Sequence, residues 1–159
     1  MTKSEFLQYS FLPFFLEEPI YLIKEKPIIP FLGENKANIV ILVHFVNGDF
    51  LKSNEFDMLL RILNAVKLSQ HEVAIVNMAV LEKDITFQHI RRVLSPQKMI
   101  IFGSDVQEFL FNKALSLYQI HDVEGTSVVV VDSLTTFLKE DNPQRPKAKA
   151  LWAILQKFI

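Results

Sequence analysis

A chain of 159 residues, half of them apolar, has the length and the hydrophobic content of one domain with its own core. Its 17 Lys and Arg nearly balance 18 Asp and Glu, so no global field draws it to nucleic acid or to an anionic membrane, and any DNA contact must be local. Cysteine is absent, which excludes disulfides, thiol nucleophiles and cysteine-ligated zinc or iron–sulfur clusters, and fits a reducing compartment.

The N-terminus MTKSEFLQYS carries polar and acidic groups where a signal peptide needs an apolar block, so a cytoplasmic protein is expected. The longest apolar runs, such as IVILVHFV, fall short of the roughly 20 residues that span a bilayer, so no membrane segment is expected. Ser4 to Ser10 suits a short helix with Phe6, Leu7 and Phe11 on one side. From Leu12 to Lys36, Pro13, Pro19, Pro27 and Pro30 block helix and favour extended backbone. Phe11, Phe14, Phe15, Tyr21 and Phe31 give this arm an aromatic content that disordered segments lack. Residues 1–36 are therefore read as a short helix plus extended arm, and residues 37–159 as one α/β domain.

After Ala37 the pattern becomes regular. Asn38 to Phe45 is a β-branched run typical of a strand buried on both faces, followed by a turn at Asn47-Gly48-Asp49. Ser53 is a helix cap, and Phe56, Leu59, Leu60, Leu63 and Val66 recur at helical spacing. Val73 to Met78 predicts the second strand. Asp84 is expected to cap a helix whose inner face is Ile85, Ile90, Val93 and Leu94, with Pro96 stopping it. Lys98 to Phe102 predicts a third strand ending at Gly103, and Asp105 to Leu115 a helix with Val106, Phe109 and Leu110 inward. Tyr118 to His121 is a candidate short extra strand, and Ser127 to Val131 the fourth long one. A last helix starts near Pro146 and presents Ala148, Leu151, Leu155 and Phe158 on one stripe, with Trp152 expected in the core. The alternation implies a three-layer α/β sandwich with a mostly parallel central sheet of about four strands.

In such a sheet a ligand crevice lies outside the carboxyl ends of the strands. His44, Asn47, Asp49 and Asn77 sit there, together with Gly103 and Asp132. Asp49 and Asp132 could form an acid/base pair; alternatively Asp49 serves its turn and Asp132 caps the next helix. His71, His89 and His121 have no metal-ligand spacing, so no metal site is expected. Arg91-Arg92 and the set Arg145, Lys147, Lys149 could contact phosphates, or simply form solvated helix faces.

The blocks LLRILNAVKLSQHEVAIVNMAV (59–80) and LSPQKMIIFGSDVQEFLF (94–111), with the tail from Ser133 to Phe158, resemble the uracil-DNA glycosylase superfamily from Asn38 onward. Active members of that family carry a Gly-rich segment with a water-positioning residue after the first strand and a His-Pro pair after the fourth. This chain has His44-Phe45-Val46-Asn47 at the first place and Asp132-Ser133-Leu134 at the second. The departing base needs electrostatic stabilisation, and an Asp would repel its charge. The resemblance therefore implies a degenerate site without catalytic residues or cofactor. Leu134-Thr135, Asn142-Pro143 and Ala150-Leu151-Trp152, with Leu7-Gln8 and Glu18-Pro19 upstream, are similar to the psi-subunit family of bacterial DNA polymerase III. That likeness implies a non-catalytic interaction subunit linking the clamp loader to a single-strand-binding or other replication protein. In this reading Phe11, Phe14, Phe15, Pro19 and Tyr21 bind the partner, the arm ordering on it, and direct DNA binding is weak or absent. The competing expectation is a divergent glycosylase flipping a deaminated base towards His44, Asn47, Asp49 and Asn77.

Overall fold

The apolar run after Ala37 forms strand β1 (Ile39–Val43), every residue of which is buried. A computed structural model of the chain describes residues 28–111, 114–140 and 146–159. After β1 come a 3-10 turn at Phe50–Lys52, helix α1 (Asn54–Ala65), β2 (Val73–Asn77) and a second 3-10 turn at Met78–Val80. Then follow α2 (Phe87–Leu94), β3 (Lys98–Phe102), α3 (Ser104–Leu110), β4 (Ile120–Val123), β5 (Thr126–Val131), α4 (Leu134–Glu140) and α5 (Pro146–Phe158).

The strands form one five-stranded sheet in the order β2-β1-β3-β5-β4. β2, β1, β3 and β5 are parallel, and β4 closes one edge antiparallel to β5. The fifth strand is the short candidate read near Tyr118, displaced two residues onward. Tyr118 itself has φ +59, outside strand geometry, and donates its backbone N–H to the Val130 carbonyl at 2.8 Å.

Alternation along the strands divides the core. Ile39, Ile41, Val43, Val73, Ile75, Ile100, Phe102, Val129 and Val131 face a layer that contains buried residues of α1, α4 and α5. Val40, Leu42, Ala74, Val76, Met99, Ile101, Val128 and Val130 face the opposite layer, with Ile90 of α2 and Val106 of α3. In-register pairs such as Ile41 with Ile75 and Ile100 run these apolar rows straight across the sheet. Burying both faces of parallel strands removes the polar alternation a one-sided sheet would need. Among the described residues, no helix is long and apolar enough to cross a membrane.

Residues 28–36 lie along the outer edge of β2. Leu32 exchanges backbone hydrogen bonds with Ile75, both 2.9 Å, and the Asn35 and Ala37 N–H groups donate to Val73 and Glu72. Ile29 is buried in the second layer. This stretch covers an edge that would otherwise present unpaired backbone groups. The boundary at residue 36, read from composition, falls inside this hydrogen-bonded stretch. Gly33 permits the approach: its φ is +97, and a Cβ there would lie 2.2 Å from the Val73 carbonyl oxygen.

Local signals explain most helix boundaries. Ser53 caps α1, its hydroxyl accepting from Phe56 N–H at 3.1 Å. Asp84 does not cap α2. Thr86 does, its hydroxyl accepting from His89 N–H while the His89 ring accepts from Thr86 N–H, a reciprocal capping box. Ile85, Ile90 and Leu94 are buried as expected, Phe87 joins them, and Val93 alone of the expected inner face is exposed. α3 ends at Leu110, short of the expected Leu115. α5 buries Leu151, Ile154, Leu155 and Phe158, whereas Trp152 is 37% exposed and not a core residue. Trp152 falls on the flanking stripe with Ala148 and Ile159, four residues back and seven on.

Candidate functional site

The strand order reverses between β1 and β3: α1 leads from β1 to the neighbouring β2, and α2 returns across to β3. The crevice expected at this switch point exists beside the carboxyl end of β1. It is lined by Val43, His44, Phe45, Phe50, Glu55, Phe102, Ser133, Leu134 and Thr135, and its cavity volume is about 30 Å³. Across it the Thr135 hydroxyl donates to Glu55 Oε2 at 3.4 Å. Phe45 and Phe50 of its lining pack tilted at a ring separation of 5.5 Å, and Phe50 meets Phe56 edge to face at 5.2 Å. Room for about one or two waters remains, far below the roughly 300 Å³ at which ligand pockets begin.

The four residues expected at this edge have different fates. His44 lines the cleft and is exposed at the β1 exit. Asn77 does not line it. Its Oδ1 accepts from Phe45 N–H at 2.9 Å and Ala79 N–H at 3.2 Å, and its Nδ2 donates to the Phe45 carbonyl at 3.0 Å. The side chain is a clip joining the ends of β1 and β2. Asp49 accepts from Leu51 N–H at 3.0 Å and caps the 3-10 turn, as its turn reading expected. Asn47 is exposed in the same loop and outside the cleft lining.

Asp132 does not cap α4, and neither it nor Asp49 lines the cleft. Its carboxylate accepts from the Tyr118 hydroxyl at 2.5 Å and lies 3.6 Å from Lys147 Nζ. The backbone bond from Tyr118 to Val130 brings that phenol to the β5 exit, so the carboxylate is turned towards it. Ser133 takes the capping place, its hydroxyl accepting from Thr136 N–H at 3.4 Å.

Three histidines have local partners. The His71 ring meets Glu34 Oε2 at 2.7 Å, His89 completes the α2 capping box, and His121 Nε2 contacts the Ser116 carbonyl at 3.0 Å. No group of three potential metal ligands occurs among the described residues. Of the basic groups, Arg91 pairs with Glu124 at 3.4 Å and lies over the Phe87 ring, and Lys147 pairs with Asp132. Arg92 and Lys149 are exposed on their helices. Phe11, Phe14, Phe15, Pro19 and Tyr21, with Asn142-Pro143, Arg145 and the expected helix Ser4–Ser10, lie outside the described residues, as does the side chain of Phe109.

Glu55 and Thr135 escaped the sequence reading as a pair because they are 80 residues apart. Glu55 carried only the signal of an acid in a helix first turn. A larger feature was also missed. Met58, Arg61, Ile62, Ala65 and Val66 of the α1 side face Ala148, Leu151, Trp152 and Leu155 of α5 across a groove of about 220 Å³ floored by Phe137. A second hollow of about 260 Å³ continues it past Lys67, Gln156 and Ile159. The stripe of Ala148, Trp152, Leu155 and Ile159 was its one sequence signal.

Compared with known protein families the chain matches no family model, and it matches no curated protein.

Proposed function

We propose that the protein is a non-catalytic interaction subunit similar to the psi family, linking a clamp loader to a second replication protein. The observation that carries this reading is the state of the switch-point cleft. It is about 30 Å³ in volume, and Asn77, the amide expected to face a base, lies outside its lining and is tied to the Phe45 backbone through both its oxygen and its nitrogen. A flipped pyrimidine needs a pocket that encloses it and hydrogen-bonds its edge. Asp132, at the β5 exit, is engaged by Tyr118 and Lys147 outside the cleft lining and supplies no positive charge for a departing base. The uracil-DNA glycosylase-like reading of the fold rests on the α/β order and the sequence blocks from Asn38 onward.

The motifs of the resemblance divide between packing and surface. Leu134 and Leu151 are buried, while Trp152, the last residue of Ala150-Leu151-Trp152, stands at the surface. The arm through Phe11, Phe14, Phe15, Pro19 and Tyr21 is assigned to the clamp loader, and the α/β domain to the second protein. Affinity capture from lysate of the source cells, followed by mass spectrometry, tests this. The full chain recovers clamp-loader and single-strand-binding components, and residues 28–159 lose the clamp loader. The opposing result is release of free base from uracil-containing single strands at stoichiometric protein, abolished by Asp49→Ala or Asn47→Ala, which establishes the glycosylase.

A further inference from the structure

The groove between α1 and α5 has a composition that specifies its occupant. Leu151, Leu155, Met58 and Phe137 form a buried apolar floor, and Trp152 stands over it at 37% exposure. Its two parts share Ala65, Val66, Trp152 and Leu155 and so form one channel. From Met58 to Lys67 along α1, and from Ala148 to Ile159 along α5, the walls run about 15 Å, or roughly three helical turns.

The charges lining this channel are of one sign. Arg61 and Lys67 line it, and among the described residues no Asp or Glu does. None of the described residues supplies either cation with a carboxylate, or the Trp152 indole N–H with an acceptor. The walls therefore offer a guanidinium, an ammonium and an indole N–H, all donors that suit acceptors on an occupant. Arg and Trp are also the residue types that dominate interface energetics.

We propose that the α1–α5 groove docks an amphipathic helix of a partner protein, with apolar anchors at i, i+4 and i+7 on the floor and acidic residues on its flanks. Arg61 and Lys67 receive the acids, and Trp152 packs against the central anchor. The assignment rests on the interaction-subunit reading and gives the α/β domain its own ligand, distinct from that of the arm.

Trp152 is the single tryptophan of the chain, so fluorescence of the full-length protein reports the groove directly. The probe is a synthetic helical peptide of about 15 residues, some four turns, with Leu on one stripe and Glu beside it; a second peptide carries Lys in place of Glu. The Glu peptide shifts Trp152 emission to the blue and saturates, and the Lys peptide binds at least about tenfold more weakly. Arg61→Glu, at an exposed position, reverses the order of the two peptides. The proposal is overturned by no emission change with either peptide, or by equal affinity for both. It is also overturned by a blue shift with protein concentration alone that tracks a dimer in sedimentation, which makes a second copy the occupant. A red shift on deleting residues 1–27 without peptide likewise overturns it, since the arm is then the occupant. Retained capture of the clamp loader alongside failed peptide binding rejects the groove assignment and leaves the interaction-subunit reading standing.

Discussion

Asn77→Ala separates a structural clip from a catalytic amide. The Asn77 side chain makes three hydrogen bonds in a partly buried setting, two to the backbone of Phe45 and one to Ala79 N–H, between 2.9 and 3.2 Å. Each contributes about 1 kcal/mol net, and the stranded Phe45 N–H and C=O add desolvation that water at this rim partly relieves, giving a loss of about 2–3 kcal/mol. Urea unfolding followed by circular dichroism measures it. With a slope of about 2 kcal/mol/M the midpoint falls by about 1 M at unchanged slope. Asn77→Asp keeps the two acceptor bonds, loses the donor, and sets a carboxylate against the Phe45 carbonyl, so it falls between wild type and alanine. A midpoint shift below about 0.3 M for Asn77→Ala refutes the reasoning, because the bonds would then contribute no more than a surface contact.

Three further outcomes follow from the same geometry. Gly33→Ala drives a Cβ into the Val73 and Gln70 carbonyl oxygens, at 2.2 and 2.4 Å, and costs about 3 kcal/mol or more in urea unfolding, whereas Gly48→Ala meets nothing within 4 Å and costs about 1–2 kcal/mol from backbone strain alone. A chain shortened to residues 37–159 lacks the Leu32–Ile75 bond pair and the burial of Ile29, so it is less stable than one beginning at residue 28 by about 3–5 kcal/mol in calorimetry or denaturant unfolding. The Lys36 ammonium at 3.1 Å, and then His71, hold the Glu34 carboxyl below its ordinary value of 4.5. A lowered folded pKa gives stability that is present above 4.5 and lost as pH falls through the folded value, so the difference between wild type and Glu34→Gln shrinks to nothing across that acid window.

The strands were legible because burial on both faces selects continuous β-branched runs; Lys98–Phe102 was read to the residue. Ser53 was legible as a cap because its hydroxyl precedes an apolar helical period. Asp84 misled because it is as good a cap as Thr86 in isolation, and the choice was made by His89 three residues after Thr86. The arm from Leu12 to Lys36 was read as extended from its four prolines, but the place of residues 28–36 on the β2 edge was not legible, since one bridge at Leu32 leaves no alternation to recognise. Trp152 was misplaced because helical periodicity finds a stripe without saying how far the neighbouring helix covers its flank. For the same reason the groove was invisible: its two walls, 58–67 and 148–159, meet only in the folded chain. A small cleft lies at the strand ends, but of the four residues expected there only His44 lines it, and its closure by Phe45, Phe50 and Phe102 depends on packing across the switch point.

The proposed role is the binding of replication proteins without the processing of bases. Titrating purified clamp loader with the full-length chain and with residues 28–159, by light scattering or surface binding, tests it most directly. Saturable binding of the full chain is expected, weaker by at least about a hundredfold when residues 1–27 are absent, a loss of roughly 3 kcal/mol carried by the aromatic anchors. Equal binding of both forms, or none by either, contradicts it.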